Sequence, residues 1–298
     1  MKSRFNLPVA LLALVAGLSG TLAQGAETTL DKIRRTGQIS ITYREASIPF
    51  SYTVDGKPVG YAFEMCKLVA QAVQKKLGLS KLDIKTVPVT SANRVEAIVK
   101  GTADLECGST TNNATRRKDV AFTVPHYIAG ARLLVHSGKG IHSIDDLKGK
   151  KVVLTKGTTT IGLMRAANDS RVLNLTFIEA GDHAEAVSMV EAGTADAFAM
   201  DDVLLFSLRA ASKDPSKLEV VGELLSIEPL AMMLRKDDPE FKRLVDTEMS
   251  RIVLDGEGAR LYRKWFNEPI PPKGTVLNLP QSHLLKDAWR FPTDSVAD

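Results

Sequence analysis

Charged and hydroxyl side chains stand in the loops that follow the predicted strands of this 298-residue chain. These polar residues are Arg44, Ser91, Arg94, Ser109, Thr111, Arg116, Thr158, Thr159, His183 and Asp201. Guanidinium groups, hydroxyl groups and the free backbone amides at the start of a helix all suit an anion. Because open α/β sheets bind ligands at the carboxyl ends of their strands, the pattern predicts one ligand site where these loops converge.

Each of these residues also has an ordinary structural explanation. An arginine after a strand is often a solvated surface charge, a run of serine and threonine often caps a helix, and a single histidine is often structural. Asp201 has the alternative of capping the helix that the pattern predicts to begin beside it. The coincidence of all these residues at predicted strand ends favours a site.

The elements that position these loops alternate between strand and helix, which predicts an α/β fold with mostly parallel sheets. Strands are predicted over 38–43, 82–89, 152–155 and 178–180, and 104–108 is predicted to be extended. Apolar residues at helical spacing predict a helix over 63–77. A second helix is predicted to end at Lys100, before Gly101, with Ser91 as its cap.

A four-residue motif occurs twice and indicates two bodies of similar design. Residues 101–104 read Gly-Thr-Ala-Asp, and residues 193–196 repeat them, each after a predicted helix that contains Val-Glu-Ala and before a short apolar strand. Five residues beyond the aspartate lies Ser109 in the first copy and Asp201 in the second. The repeat therefore predicts two α/β lobes with ligand groups at equivalent strand ends.

The composition is that of an ordinary globular protein. Hydrophobic residues make up 44% and charged residues 25% of the chain, and 39 basic residues are interleaved with 35 acidic ones. A nucleic-acid-binding protein concentrates its basic residues in one stripe, so that class is excluded.

The first 26 residues have the layout of a secretory signal peptide. Lys2 and Arg4 precede an apolar stretch over 7–18, which is too short to span a bilayer, and small residues follow up to Ala26. Cleavage there leaves about 270 residues with a net charge near +2. No cysteine stands in the cleavage region directly after the apolar stretch, so the sequence predicts export without a lipid anchor.

Two cysteines, Cys66 and Cys107, form either a disulfide in an oxidising compartment or two free buried thiols. The five histidines are scattered without ligand spacing, so no metal site is predicted. No cofactor is predicted either.

Several segments resemble the amino-acid solute-binding proteins, family 3, of ABC importers, and in particular the glutamate/aspartate-binding subfamily. The most specific are 44–52 (Arg-Glu-Ala-Ser-Ile-Pro-Phe-Ser-Tyr), 106–113 (Glu-Cys-Gly-Ser-Thr-Thr-Asn-Asn), 200–202 (Met-Asp-Asp) and 234–239 (Leu-Arg-Lys-Asp-Asp-Pro). The chain departs from the broader family pattern at Ala62, where an acidic residue is usual.

The resemblance implies the two-lobed periplasmic binding protein fold of type II, in which two hinge strands join the lobes and the ligand lies in the cleft between them. Under this interpretation residues 1–26 are the signal peptide, 27–130 and 231–298 form lobe 1, and 131–230 form lobe 2. The chain would leave lobe 1 near Ala131 and return near Ala231.

The resemblance also assigns roles to the polar residues. Arg116 would bind the α-carboxylate of the ligand, helped by Thr111 and by Thr158 or Thr159, and Asp201 would receive the α-ammonium. The side-chain carboxylate would be held by Arg44, Ser91, Arg94, Ser109 and His183. Three arginines against one aspartate would then favour L-glutamate or L-aspartate over the amides.

The implied function is a monomeric periplasmic protein that delivers L-glutamate or L-aspartate to the membrane permease subunits of an ABC importer. The alternative is a periplasmic enzyme of the same fold, of the cyclohexadienyl or arogenate dehydratase type. That enzyme would need a general acid, for which His183 or Glu106 could serve.

Overall fold

The computed structural model describes residues 27–296, and the predicted signal peptide lies outside this range. Within it the helices are α1 (Thr29–Thr36), α2 (Tyr61–Leu77), α3 (Arg94–Val99), α4 (Thr160–Arg171), α5 (His183–Glu191), α6 (Asp202–Ala211), α7 (Pro239–Leu254), α8 (Glu257–Phe266) and α9 (His283–Arg290). Across residues 27–296, no helix combines the length and hydropathy needed to cross a membrane.

The strands alternate with these helices along most of the chain. They are β1 (Gln38–Tyr43), β2 (Ala46–Ser47), β3 (Ser51–Val54), β4 (Lys57–Val59), β5 (Asp83–Pro88), β6 (Val120–Phe122), β7 (Tyr127–Ala129), β8 (Ala131–His136), β9 (Lys151–Thr155), β10 (Thr176–Ala180), β11 (Ala197–Asp201), β12 (Leu218–Val221), β13 (Glu228–Leu230) and β14 (Met233–Arg235). The prediction of an α/β fold is confirmed.

The largest sheet is built from one stretch of chain. Its strand order is β10-β9-β11-β8-β12, so all five strands come from residues between Ala131 and Val221. Two other sheets combine strands from either side of that stretch: β7 pairs with β13, and β6 pairs with β14. The chain therefore enters and leaves the five-stranded body through neighbouring strands.

The expectation of mostly parallel sheets is wrong. Parallel pairing links β1 to β5 and β9 to both β10 and β11, while the other strand pairs within 27–296 are antiparallel. The physical reason is topological. Where the returning chain runs beside the outgoing chain, the two directions are opposed, and β2, β3 and β4 follow one another through short turns.

The Gly-Thr-Ala-Asp repeat has the same structural role in both copies. The Asp104 amide donates to the Ser40 carbonyl and the Asp104 carboxylate accepts from the Ser40 amide, both at 2.8 Å. The Asp196 amide and carboxylate make the same two contacts with Lys151, again at 2.8 Å. Each aspartate thus ties the end of its helix-turn segment to the neighbouring strand, so the repeat reflects two similarly built units.

Close approach of the backbone explains one glycine at the start of α2. Gly60 has φ of +134°, and a Cβ there would lie 2.3 Å from the carbonyl oxygen of Phe50. The amides of Ala62 and Phe63, in the first turn of α2, donate to that same carbonyl. The predicted helix begins two residues earlier than the periodicity indicated, because the loop over Phe50 satisfies its first amides.

An aromatic cluster holds the crossing strand β7 against the C-terminal helices. Tyr262 and Phe266 of α8 stack with ring centroids 4.3 Å apart, and Tyr127 of β7 stacks on Phe266 at 5.1 Å. Trp289 of α9 is buried and donates from Nε1 to the carbonyl of Pro125 at 3.1 Å. The C-terminal segment therefore packs directly beside the strand through which the chain leaves the first body.

Candidate ligand-binding site

Loops from the two predicted lobes meet in van der Waals contact. Gly157 has φ of +77°, and a Cβ at this position would lie 2.4 Å from the Ser91 carbonyl oxygen. The Arg116 Nη2 group donates to the Gly157 carbonyl at 3.1 Å. Only a glycine permits this approach, which brings the loop after β9 over the loop after β5 and buries the side chains between them.

Arg44 lies at the centre of this contact. It follows β1, is 2% exposed, and donates from Nη2 to the Ser91 hydroxyl at 2.6 Å. The same Nη2 atom lies 3.4 Å from His183 Nε2, and His183 Nδ1 lies 3.0 Å from the Thr155 hydroxyl. Since a guanidinium can only donate, Nε2 of His183 accepts and the ring proton is on Nδ1.

His183 is therefore a neutral imidazole. Burial lowers its pKa well below the usual 6.5, and the positive charges of Arg44 and Arg94 lower it further. The ring can receive a hydrogen bond from a guanidinium without adding a fourth positive charge to the site.

Ser91 does not have the helix-capping role that its sequence position predicted. Helix α3 begins at Arg94, its N-cap residue is Asn93, and the Ser91 hydroxyl instead accepts the hydrogen bond from Arg44. The prediction of a capping role for Ser91 is wrong, because the tertiary contact with Arg44 takes the hydroxyl that a cap would need.

Arg94 is the second buried guanidinium. It is 2% exposed and donates from Nη1 to the carbonyl of Ser109 at 3.3 Å. Its Nε and the Nη1 of Arg44 have no hydrogen-bond partner within residues 27–296. Buried charged donors without partners are unfavourable, so these two N–H groups mark a position suited to an anion.

Arg116 is the third guanidinium and connects two loops. Besides its contact with Gly157, it donates from Nη1 to the Thr111 carbonyl at 2.8 Å. Burial, followed by the positive charge of Arg94, lowers the pKa of Arg116 to about 9, and burial and Arg94 lower that of Arg44 to about 9. Three guanidinium groups in one poorly solvated space disfavour one another unless anions lie among them.

The threonines at the start of α4 use their hydroxyl protons within the protein. Thr158 donates to the Thr155 carbonyl at 2.7 Å, and Thr159 donates to Glu228 Oε2 at 2.9 Å. Both side chains are half-buried. The amides of the first turn of α4, which a helix leaves without internal partners, are the remaining donors here for a carboxylate.

Asp201 ends strand β11 and supplies a buried carboxylate. It is 1% exposed, and its Oδ1 has no hydrogen-bond partner within the described range. Asp201 occupies the N-cap position of α6, as the alternative predicted, but its side chain makes no capping hydrogen bond within residues 27–296. Burial raises the pKa of Asp201 well above its usual value, and the charges of Glu228 and Asp202 raise it further.

The predicted charge balance of three arginines against one aspartate is wrong, because it leaves out two buried glutamates. Glu106 is 0% exposed and interacts electrostatically with Arg94 and Arg44. Glu228 is 5% exposed and acts on Arg116 and Asp201. Sequence reasoning assigned Glu106 only to the enzyme alternative and missed Glu228. Their signal was an acidic residue inside an otherwise apolar extended segment.

A disulfide between Cys66 and Cys107 anchors the segment that carries much of the site. Cys66 belongs to α2, and Cys107 directly precedes Gly108 and Ser109. Both cysteines are fully buried. The bridge ties the loop that leads to Thr111 to the helix behind it, a pairing that the sequence left open.

Lys273 makes a further contact between the predicted lobes, away from the arginines. Its Nζ donates to the carbonyl oxygens of Ala211 at 2.9 Å and of Ser212 at 3.1 Å. These carbonyls belong to the last residue of α6 and to its C-cap, and the negative dipole end of the helix favours a cation there. Since α6 begins directly after Asp201, the contact holds the far end of the same helix.

The structure brings all ten sequence-predicted site residues to this junction of loops. Three guanidinium groups, a neutral imidazole, buried carboxylates and helix amides lie together there, and this set of groups suits a small molecule with both anionic and cationic groups. The fold and these groups together define a two-lobed solute-binding protein.

The model of the bacterial extracellular solute-binding proteins, family 3, matches residues 39–268, and the chain belongs to this family. The chain is a solute-binding protein and not an enzyme. The fold class that the sequence predicted is confirmed.

Similar proteins agree with this assignment. The L-glutamate/L-aspartate-binding protein of Pseudomonas aeruginosa is 43% identical over 290 residues, which is 96% of each chain. The glutamate/aspartate import solute-binding protein of Escherichia coli is 42% identical, covering 95% of both chains. Among solved structures, an ancestral amino acid-binding protein that is a precursor of cyclohexadienyl dehydratase is 27% identical. It has a TM-score of 0.68 over 81% of this chain and 100% of its own.

Proposed function

We propose that the protein binds L-glutamate and L-aspartate and delivers them to the membrane permease subunits of an ABC importer. The observation that carries this proposal is the pair of buried guanidinium groups, Arg44 and Arg94, each with an N–H that lacks a partner among residues 27–296. A ligand whose side chain ends in a carboxylate would satisfy both. The names of the relatives that match nearly the whole chain point to the same two amino acids.

In this proposal the other site residues hold the groups that all amino acids share. Arg116, with Thr111 and the first turn of α4 at Thr158 and Thr159, binds the α-carboxylate, and Asp201 receives the α-ammonium. The contacts of Arg116 with both sides of the cleft, through the carbonyls of Thr111 and Gly157, support its role in binding the α-carboxylate. Ser91, Ser109 and His183 complete the pocket for the side-chain carboxylate with Arg44 and Arg94.

The lobe boundaries are part of the proposal. Lobe 1 comprises residues 27–130 and 231–298, and lobe 2 comprises 131–230. The strand order supports this division, because the five-stranded sheet uses residues of the central stretch alone. Strands β7 and β13, which pair at the junction, are the proposed hinge.

The protein would act outside the cytoplasm as a monomer. The family is extracellular, and residues 1–26 have the charge and hydropathy pattern of a signal peptide. We propose export to the periplasm with removal of this segment and without lipid attachment.

Isothermal titration calorimetry tests the proposed ligand. We expect saturable binding of L-glutamate and L-aspartate and weaker binding of neutral amino acids. Absence of heat with either acid, together with binding of a neutral or basic amino acid, would refute the proposal.

Three arginine variants test the assignment of roles. Arg44→Ala and Arg94→Ala should lose the acidic ligands selectively, whereas Arg116→Ala should weaken every amino acid. Removal of one partner from a buried charge pair costs about 2–5 kcal/mol, which corresponds to a roughly 30- to 5,000-fold weaker affinity. Wild-type affinity in all three variants would show that the ligand binds elsewhere.

A further inference from the structure

Glu106 is a buried carboxylate in the cleft to which the proposed function gives no task. Its side chain is fully shielded from solvent. Its backbone amide donates to the Met233 carbonyl at 2.8 Å, and the next residue, Cys107, is fixed by the disulfide to Cys66. The carboxylate is therefore held by a backbone that is anchored on both sides.

The Glu106 carboxylate lies against the same glycine as the stem of Arg44. A Cβ on Gly108 would be 2.6 Å from Glu106 Oε1 and 3.1 Å from Arg44 Cγ. The carboxylate and the arginine stem thus share one face of Gly108. No other residue at position 108 would leave both in place.

Glu106 interacts electrostatically with both arginines that are proposed to hold the side-chain carboxylate of the ligand, and neither of its carboxylate oxygens has a hydrogen-bond partner within residues 27–296. Burial raises the pKa of Glu106 above its usual value, and the positive charges of Arg94 and Arg44 only partly offset that rise. An ionised Glu106 gives these two guanidinium groups a nearby negative charge even when the ligand brings none. This weakens the electrostatic penalty against a ligand with a neutral amide side chain.

We propose that Glu106 determines how strongly the cleft discriminates between acidic amino acids and their amides, because it neutralises part of the Arg44 and Arg94 charge. This inference rests on the proposed function. Glu106 repels the ligand's side-chain carboxylate and offsets the unpaired charge that an amide ligand would leave. It acts through the arginines and is a specificity-determining residue that positions charge rather than a ligand contact.

The test is the ratio of the dissociation constants for L-glutamine and L-glutamate in Glu106→Gln. This substitution keeps the shape of the side chain and removes its charge. We expect the ratio to rise by roughly tenfold or more, with tighter L-glutamate and weaker L-glutamine binding. A purely structural role would weaken both ligands together and leave the ratio unchanged.

Asp104→Asn is the matched control. Asp104 is a buried carboxylate two residues earlier on the same segment, where it pairs with Lys32 and the Ser40 amide. Its substitution should lower stability and leave the ratio at the wild-type value. A ratio in Glu106→Gln that stays within about threefold of wild type overturns the inference.

The outcomes separate this inference from the proposed function. Wild-type protein that binds neither acidic amino acid overturns both, whereas wild-type binding with an unchanged ratio in Glu106→Gln overturns this inference alone. If Glu106→Gln does not fold, Arg44→Gln is compared with Arg44→Gln/Glu106→Gln, which removes one charge of each sign. We expect the double variant to have the higher ratio of the L-glutamine to the L-glutamate dissociation constant, because Glu106 also interacts with Arg94. Equal ratios in the two variants overturn the inference.

Discussion

Substitution of Asp201 by asparagine should change ligand affinity and protein stability in opposite directions. Asp201 is 1% exposed, and its Oδ1 has no hydrogen-bond partner within residues 27–296, so this oxygen is available to the α-ammonium of a bound amino acid, as the proposed function assigns. Loss of one member of a buried ion pair costs about 3–5 kcal/mol. At about 1.4 kcal/mol per factor of ten, we expect Asp201→Asn to bind L-glutamate roughly 150- to 5,000-fold more weakly.

The unliganded protein should gain stability from the same change. Burial raises the pKa of Asp201 well above its usual value, and a raised pKa means that the folded state disfavours the ionised form. The stability that this group contributes is present below its unfolded pKa and is lost as the pH rises through the folded pKa. Asparagine does not ionise, so the Tm of unliganded Asp201→Asn at pH 7 should exceed that of the wild type.

Calorimetry with L-glutamate and L-aspartate measures the first effect, and thermal unfolding without ligand measures the second. Asp196→Asn is the control, because Asp196 directly precedes the same strand and its carboxylate accepts a hydrogen bond from the Lys151 amide. It should lower the Tm and keep the affinity. Affinity of Asp201→Asn within tenfold of wild type, or a lower Tm, would refute the role of Asp201.

Three further predictions follow from contacts around the cleft. Lys273→Ala should weaken L-glutamate binding by roughly two- to fivefold and speed ligand dissociation in stopped-flow measurements, because the substitution removes the cation at the end of α6. The control is Lys286→Ala, at an exposed lysine of α9. An effect of Lys273→Ala no larger than that of the control would contradict the prediction. The variant with both Cys66→Ala and Cys107→Ala should lose about 4 kcal/mol of unfolding free energy, because the unfolded chain is no longer closed into a loop across the sequence separation of 41 residues. Urea unfolding measures this loss, and an unchanged unfolding midpoint would contradict the prediction. His183 has a lowered pKa, so its contribution to stability is present above about pH 6.5 and is lost as the pH falls, by up to about 1.4 kcal/mol per pH unit. Urea unfolding at several pH values should show a shallower acid loss for His183→Gln, and parallel curves would argue against a neutral buried imidazole.

The sequence alone predicted several of the strands and helices and the polar residues of the proposed site. Helix periodicity and strand alternation are local properties, so β1 was predicted at its observed bounds and α2 to within two residues. The loops after the strands were identified because ligand groups collect at the carboxyl ends of strands. The Gly-Thr-Ala-Asp repeat was visible in the sequence, and its aspartates make the same backbone contacts in both copies.

Only the tertiary structure decided which of these groups meet and what charge they face. Ser91 fits a helix cap by its position, yet its hydroxyl is used by Arg44, which lies 47 residues away in the chain. Glu106 and Glu228 stand among apolar residues, and their effect on the arginines depends on contacts between distant segments. The antiparallel crossing strands, the Cys66–Cys107 bridge and the Lys273 contact are long-range in the same sense. Local patterns carry no information on such distances, because they are set by how the two bodies fold back on each other.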